Sequence, residues 1–218
     1  MKKIRIRNSS EEYTIEKIVC IGKNYAEHAK ELGGEVPKKP LIFLKPSSAV
    51  IYSRGKVIKP SFTKNLHHEA ELVLLIGKTI KNADLKESKD AIIGYGVGLD
   101  MTLRDVQNEL KQKGNPWTIS KCFDTSAVLS DFILKKDYEL NLEEEIILTV
   151  NGNVKQRAEL NTMMVKPVEL VKYISSLMTL EEGDLIFTGT PAGVSKVEPG
   201  DKLTARISGV GELECEIA

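Results

Sequence analysis

The apolar positions of the chain fall into short runs, and the longest wholly apolar one is Leu72 to Ile76. Because consecutive positions carry apolar side chains, both faces of an extended strand would be apolar there. The segment from Glu69 to Ile76 is therefore predicted to be a strand buried on both sides. Ile92 to Asp100 is predicted to be a second strand, with glycine at every second position from 94 to 98. Strand faces without side chains often mark the close approach of another backbone or of a ligand.

Polar and turn-forming residues divide the rest of the chain into further short elements. The predicted helices are Tyr25 to Leu32, capped by Asn24 and ended by Gly33 and Gly34, Leu103 to Gln112, capped by Thr102, and Val168 to Leu177. The other predicted strands are Lys17 to Ile21, Leu41 to Leu44, Ile146 to Val150, Val154 onward, and three that follow the turns at 182–184, 199–201 and 209–211. Strands outnumber helices and do not alternate with them, so the predicted fold class is α+β on a β core.

Glu69 and Glu71 lie two residues apart at the start of the buried strand. In a strand these positions share a face with side chains about 7 Å apart, whereas in a helix they would point to different sides. Like charges at the edge of a core repel each other and are poorly solvated, so a positive charge is expected between them. No Lys or Arg follows before Lys78, which favours a divalent cation. The pair therefore predicts a metal site.

Asp100 ends the glycine-bearing strand. It completes a Glu-Glu-Asp oxygen set if it joins the pair, but a local turn or cap before the next helix explains it equally well. Carboxylate ligands without His or Cys favour Mg²⁺ or Mn²⁺ over Zn²⁺ and leave positions for water and a chelating substrate. The neighbouring His67 and His68 do not favour zinc, because adjacent strand residues point to opposite sides.

The composition narrows the class of protein. The 218 residues include 31 Lys and Arg and 31 Asp and Glu, so the formal net charge is zero. Without a basic stripe, neither nucleic acid nor an anionic membrane is expected as a partner, and no apolar run is long enough to cross a bilayer. Three cysteines, odd in number and far apart, are typical of a reducing compartment. A soluble, cytoplasmic protein is expected.

Five motifs follow one another along the chain. They are Gly22-Lys23-Asn24-Tyr25 with His28, His67-His68-Glu69-Ala70-Glu71, Asp100 to Gln107, Pro116-Trp117-Thr118 with Lys121, and Thr188 to Val194. In this order they resemble the fumarylacetoacetate hydrolase family, most closely its acylpyruvase/oxaloacetate decarboxylase branch. The resemblance implies one catalytic domain over residues 1–218, with a mixed β-roll or β-sandwich core and a few short helices. It also implies a homodimer and a bound Mg²⁺ or Mn²⁺.

The resemblance also assigns roles to residues that match the family's motifs. The implied metal ligands are Glu69, Glu71 and Asp100, the implied substrate contacts are Arg104, Gln107 and Thr190, and the implied catalytic residues are His28, Glu31 and Lys121. Lys121 would hold the oxygens of the substrate.

His28 and Glu31 correspond to the family's water-activating pair on a mobile lid. Three residues apart on a helix, their side chains can touch, and a carboxylate beside imidazole raises its basicity. From the residues alone, a solvent-exposed pair on a polar helix face is the alternative. The same alternative applies to Arg104 and Gln107.

The predicted activity is metal-dependent hydrolysis of a carbon–carbon bond in acylpyruvates, which are 2,4-diketo acids, through a metal-stabilised pyruvate enolate. Oxaloacetate decarboxylation would accompany it. Two alternative activities form the same enolate and stay open as predictions. They are oxaloacetate keto–enol tautomerisation and 2-hydroxyhepta-2,4-diene-1,7-dioate isomerisation. Two further alternatives are Lys121 as a Schiff-base lysine and a non-catalytic protein that binds 2-oxo acids.

Overall fold

The computed structural model describes residues 1–31, 33 and 37–218, and its strands are short and numerous. In chain order the strands are β1 (Lys3–Arg5), β2 (Glu12–Thr14), β3 (Ile18–Gly22), β4 (Leu41–Lys45), β5 (Val50–Tyr52), β6 (Gly55–Val57), β7 (Leu66–His67), β8 (Ala70–Ile76), β9 (Ile92–Asp100), β10 (Thr102–Leu103), β11 (Ala127–Leu129), β12 (Ile133–Leu134), β13 (Glu145–Val150), β14 (Asn153–Glu159), β15 (Leu185–Phe187), β16 (Lys196–Val197), β17 (Lys202–Ile207) and β18 (Gly211–Ile217). The α-helices of the described residues are α1 (Ala26–Glu31), α2 (Leu85–Ala91), α3 (Arg104–Gln112), α4 (Thr118–Lys121) and α5 (Pro167–Leu177), with 3₁₀ turns at Ser47–Ala49 and Leu160–Thr162.

Two mixed sheets form the β core. The larger has the strand order β4-β3-β15-β8-β9-β11-β5, and β12 pairs additionally with β9. The second has the order β14-β13-β17-β18-β6, and two small sheets are formed by β10-β7-β16 and β1-β2. Parallel pairs, such as β3 with β15, occur beside antiparallel ones, such as β8 with β9. The predicted α+β class on a β core is confirmed.

Strand β8 lies inside the larger sheet, and all seven of its residues are buried. Leu72 and Leu74 belong to a hydrophobic cluster that also contains Leu148 and Leu213 of the second sheet. Val73 and Leu75 on the opposite face belong to a separate cluster. The strand therefore has a core on each side, as its uninterrupted apolar run predicts.

The glycine face of β9 is filled by aromatic side chains. A Cβ on Gly96 would come within 2.7 Å of the Phe132 ring, and one on Gly98 within 2.6 Å of the Phe187 ring. Gly94 alone meets a backbone atom, since a Cβ there would lie 3.0 Å from the carbonyl oxygen of Ile133. The expectation of a close backbone holds at Gly94, whereas at Gly96 and Gly98 the aromatic rings need the space.

Two predicted helix caps are wrong. Thr102 lies in β10, where its hydroxyl donates to the carbonyl oxygen of Asp100 at 3.0 Å, and α3 begins after Leu103 without a side-chain cap. The Asn24 amide group instead donates to the carbonyl oxygens of Val165 and Thr188, so it ties two distant segments together. Both polar side chains are used in tertiary contacts, which a local pattern does not reveal.

Two residues of the predicted first helix end, Leu32 and Gly34, lie outside the described residues. Within the described part of the chain, no helix has both the length and the apolarity needed to span a membrane.

Gly96→Ala is expected to destabilise the protein by about 1–3 kcal/mol, because the added methyl group overpacks the Phe132 ring. Gly211→Ala is the matched control, since a Cβ there meets its nearest atom at 3.6 Å. Urea unfolding of both variants measures the difference. Equal midpoints would contradict the account of the glycine face.

Candidate active site

The three predicted metal ligands meet where β8 begins and β9 ends. Antiparallel pairing brings these strand ends together, and the amide of Asp100 donates to the carbonyl oxygen of Glu69 at 2.8 Å. Glu71 pairs with Gly98 in the same ladder. Ligand atoms of Glu69, Glu71 and Asp100 lie within 4.8 Å of one another, and all three residues are buried. The alternative of Asp100 as a mere turn residue is therefore set aside, since its carboxylate points into the cluster.

Three cations from distant segments reach this carboxylate cluster. The ammonium group of Lys121 lies 2.7 Å from Glu69 Oε2 and 2.6 Å from Asp100 Oδ2. Lys45 Nζ lies 2.8 Å from Asp100 Oδ1, and Arg104 pairs with Glu69 Oε1. The premise that no Lys or Arg is available to these carboxylates was therefore wrong, because the fold supplies three cations from β4, α3 and α4. The three carboxylates still form a group that could hold a metal.

Glu71 is the member of the cluster that these cations do not reach. Among the described residues its carboxylate accepts one hydrogen bond, from the backbone N–H of Gly189 at 2.6 Å. Burial, together with the neighbouring Asp100 and Glu69, raises the pKa of Glu71 well above its usual range. A cation beside Glu71 would favour its ionised form, and an all-oxygen donor set suits Mg²⁺ or Mn²⁺. The residues present therefore fit a divalent metal.

Lys121 is held as an ammonium ion. Its Nζ donates to Glu69, Asp100 and the hydroxyl of Thr102, which uses all three of its N–H groups. Burial alone would lower the pKa of Lys121, but Asp100 and Glu69 raise it above its ordinary value. The same contacts act on Glu69, whose pKa burial would raise but Lys121 and Arg104 hold well below its usual range. A protonated amine is a poor nucleophile, which disfavours the Schiff-base alternative.

His28 and Glu31 form a pair on α1 in which His28 is buried and Glu31 is exposed. The His28 side chain is 4% exposed, and its Nδ1 lies 3.1 Å from Glu31 Oε2. Because a carboxylate only accepts hydrogen bonds, Nδ1 carries a proton, which leaves Nε2 as the basic nitrogen. Glu31 Oε1 also accepts the N–H of Gly193 at 3.0 Å, so it links the helix to the loop after β15. The alternative of a solvent-exposed pair is wrong for His28.

Arg104 and Gln107 are also buried, at 4% and 3% exposure, so the solvated-face alternative is wrong for them too. They occupy adjacent positions on one side of α3, where Arg104 Nη1 donates to Gln107 Oε1 at 2.6 Å. Arg104 thereby connects Gln107 to Glu69.

Thr190 is held inside the protein by its hydroxyl group. The hydroxyl donates to the carbonyl oxygen of Ala70 at 2.8 Å and accepts from Gln156 Nε2 at 2.7 Å. Gly189 and Gly193 on either side have positive φ angles of 98° and 100°, which a residue with a Cβ rarely adopts. Thr190 and Glu71 line the same cavity, and the role of Thr190 as a substrate contact stays a prediction.

One small cavity joins the predicted site. Its lining includes His28, Glu69, Glu71, Arg104, Gln107, Lys121 and Thr190. Glu31 and Asp100 contact members of this lining directly. All nine predicted site residues therefore come together. The cavity measures about 20 Å³, which is room for about one water molecule.

Several residues at the site were not predicted. Lys45 is 1% exposed, and its Nζ also donates to the hydroxyl of Ser126 at 3.0 Å. The position of Lys45 could have revealed it, because alternate residues of a strand face the same side and Lys45 follows Leu41 and Phe43 at the end of an apolar strand. Gln156 could not have been predicted, because most of its neighbours in β14 are polar and nothing distinguishes it from them.

Gln156 joins the loop that carries Thr190 to the start of β8. It donates to Thr190 and to the carbonyl oxygen of Pro191, and it accepts from the N–H of Ala70 and from His68 Nδ1. His68 is completely buried, and burial lowers its pKa despite the bond to Gln156. Neither histidine of the motif contacts the carboxylate cluster, as expected from the weak zinc signal.

Comparison with known proteins gives consistent matches over nearly the whole chain. A family model described as fumarylacetoacetate (FAA) hydrolase C-terminal matches residues 17–218. A mitochondrial oxaloacetate decarboxylase of Dictyostelium discoideum is 46% identical over 196 residues, which cover 89% of this chain and 89% of the relative. An oxaloacetate tautomerase of Escherichia coli (strain K12) is 42% identical over 199 residues, which cover 91% of both chains.

A solved structure shares the architecture. The crystal structure of fumarylpyruvate hydrolase from Pseudomonas aeruginosa in complex with Mn²⁺ and pyruvate aligns with a TM-score of 0.96 at 36% identity. The alignment covers 100% of this chain and 95% of that one. The predicted mixed β core with a few short helices is thus confirmed.

Glu71→Gln is expected to remove a pH-dependent loss of stability from the metal-free protein. The pKa of Glu71 lies well above its usual 4.5, so the folded state keeps a proton that the unfolded state has released. The free energy of unfolding therefore falls as pH rises above about 4.5, by up to about 1.4 kcal/mol per pH unit. Urea unfolding in EDTA at a series of pH values measures this slope, which the variant should reduce.

Glu69→Gln is the control for this experiment. The pKa of Glu69 is lowered, so its carboxylate is ionised throughout the same range and does not produce the slope. Because burial and Asp100 still raise the pKa of Glu71 when the Glu69 charge is gone, the control should keep the slope, over a narrower pH range and at a lower stability. An unchanged slope in Glu71→Gln would contradict the assignment.

Proposed function

The chain belongs to the fumarylacetoacetate hydrolase family, and we propose that it is a metal-dependent enzyme that converts 2-oxo acids through their enol forms, with oxaloacetate as first substrate. One observation carries the proposal: two buried carboxylates, four cations and a histidine line a single cavity, and the third carboxylate, Asp100, contacts Lys121 in that lining. The oxaloacetate decarboxylase and tautomerase named among the relatives support this choice of substrate.

The metal would be held by Glu69, Glu71 and Asp100. A divalent cation there would act as a Lewis acid toward the carboxylate and keto oxygens of a 2-oxo acid. The fumarylpyruvate hydrolase structure, which contains Mn²⁺ and pyruvate, supports both the metal and the class of ligand.

The chain's own residues supply charge and proton transfer. Lys121 and Arg104 bring positive charge to the cavity, which favours an anionic ligand whose keto oxygen gains negative charge. Keto–enol exchange moves a proton between carbon 3 and the keto oxygen. His28 Nε2 is the basic nitrogen available to carry it, because Nδ1 is bonded to Glu31.

Acylpyruvate hydrolysis is the second candidate, and the His28–Glu31 pair favours it. A buried imidazole oriented by a carboxylate is the arrangement that removes a proton from water as the water attacks a carbonyl carbon. The water proton would go to His28 Nε2, and cleavage of the carbon–carbon bond would leave pyruvate in its enolate form. Decarboxylation of oxaloacetate produces the same enolate without an attacking water.

Either reaction requires α1 to move. The cavity of about 20 Å³ holds about one water, which is less than a 2-oxo acid needs. The hydrogen bond from Gly193 to Glu31 connects α1 to the loop after β15, so we propose that it opens as substrate enters. Closure then returns His28 to the ligand.

The test compares wild type with His28→Ala in three assays: oxaloacetate keto–enol exchange, pyruvate release from oxaloacetate, and pyruvate release from acetylpyruvate. Each is run with Mn²⁺ and with EDTA. Loss of a proton-transfer residue is expected to lower the rate that depends on it by about 10²- to 10⁴-fold. Glu27→Gln, an exposed change on the same helix, is the control and should retain the wild-type rates.

The pattern of losses distinguishes the two candidates. A metal-dependent exchange rate that collapses in His28→Ala supports the tautomerase, and a collapsed acetylpyruvate cleavage supports the hydrolase. Oxaloacetate decarboxylation that survives the change would mean that His28 is dispensable for that reaction. Absence of turnover in all three assays contradicts the proposed function.

Mn²⁺ is expected to stabilise the folded protein through Glu71. At a free concentration one hundred times Kd, binding should raise the free energy of unfolding by about 2.7 kcal/mol. Glu71→Gln should lose most of this gain because the amide cannot neutralise the cation. Urea unfolding with and without Mn²⁺ measures the effect, and an equal gain in the variant would place the metal elsewhere.

A further inference from the structure

Two lysines line the cavity in addition to the residues already assigned. Lys23 lies in the turn between β3 and α1, and Lys111 lies in the last turn of α3. Both are partly buried, and both share the cavity lining with Arg104. The metal-binding, charge-supplying and proton-transfer roles proposed above make no use of them.

Lys111 is held in place by its surroundings. Its ammonium group lies 5.0 Å from the centre of the Trp117 ring, a cation–π contact. No carboxylate of the described residues lies within ion-pair distance of Lys111. Burial, with Arg104 and Lys23 nearby, lowers the pKa of Lys111 to about 8.

Lys23 has an unusual backbone. Its φ angle of 57° lies in the left-handed region, which costs a residue with a Cβ about 1–3 kcal/mol. Such strain persists where the surrounding structure requires it, and here it occurs at the edge of the candidate site. Lys23 and Lys111 line the same cavity, and the charge of Lys23 contributes to lowering the pKa of Lys111.

These positive charges oppose one another unless an anion lies between them. Arg104 is neutralised by Glu69, whereas Lys23 and Lys111 add charge to the same small space. A ligand with one carboxylate would place that group at the metal cluster and Lys121. A second carboxylate on the ligand would complement the two remaining lysines.

We propose that Lys111, with Lys23 beside it, binds the second carboxylate of a dicarboxylic 2-oxo acid and so sets the preference over monocarboxylic substrates. The assignment rests on the proposed function, because it assumes that the first carboxylate binds at the metal cluster. It extends that function by assigning residues to the far end of the substrate.

The test measures binding, so that it does not depend on turnover. Malate and lactate are unreactive 2-hydroxy acids that differ by the second carboxylate, and Kd for each enantiomer is measured by calorimetry on the Mn²⁺-loaded protein. The wild type is expected to prefer malate. Lys111→Met should lose about 10- to 100-fold of this preference, as expected for a charge-assisted hydrogen bond, with little change for lactate.

Two further variants separate charge from packing. Lys111→Arg keeps a cation and should retain a preference for malate, whereas methionine keeps only the apolar stem against Trp117. Lys113 follows α3 directly, is exposed and forms an ion pair with Glu109. The control variant Lys113→Gln should therefore behave as wild type. Thermal unfolding confirms that each variant is folded.

The outcomes are distinct. The assignment is overturned if the wild type does not prefer malate, or if neither ligand binds. It is also overturned if the wild type and Lys111→Met prefer malate equally. A Lys111-dependent preference in a protein that turns over no 2-oxo acid would support the binding assignment and contradict the proposed catalysis.

Discussion

Three buried carboxylates at the junction of β8 and β9 are the constraint on which the rest of the structure depends. Removing ionised groups from water is costly unless opposite charge accompanies them. The chain meets this cost by bringing Lys45, Lys121 and Arg104 from three separate elements. The ends of β4 and α4 and the start of α3 are thereby fixed around one point.

The cations are distributed unevenly over the three carboxylates, and this distribution bears on metal binding. Glu69 and Asp100 are each paired with two cations, whereas Glu71 receives one backbone hydrogen bond. The uncompensated Glu71 leaves the cluster suited to a divalent metal. Lys121, which spans Glu69 and Asp100, would then be the group whose contacts change most on metal binding.

The strands that carry the site could be predicted because a run of consecutive residues indicates that each is buried. β8 is apolar on both faces, and β9 has the predicted bounds, Ile92–Asp100. The convergence of Glu69, Glu71 and Asp100 follows from strand parity together with the pairing of these two strands. Helix α5 was also predictable, and it begins at Pro167, one residue before the predicted start.

Long-range partners could not be predicted, because local patterns do not encode them. Lys121 reaches Asp100 across 21 positions and Lys45 reaches it across 55, so the absence of nearby cations in the sequence was misleading. Thr102 and Asn24 read as helix caps, but their side chains serve contacts made only in the folded chain. The roles of Arg104, Gln107 and Thr190 came from a resemblance to a family, not from spacing.

The most direct measurement is a crystal structure of the protein soaked with Mn²⁺, with anomalous diffraction locating the metal. The account predicts one strong peak among the carboxylate oxygens of Glu69, Glu71 and Asp100, with Lys121 displaced from at least one of its two carboxylate partners. A peak on other residues would contradict it. So would the absence of a peak at this cluster, with Lys121 still bridging Glu69 and Asp100.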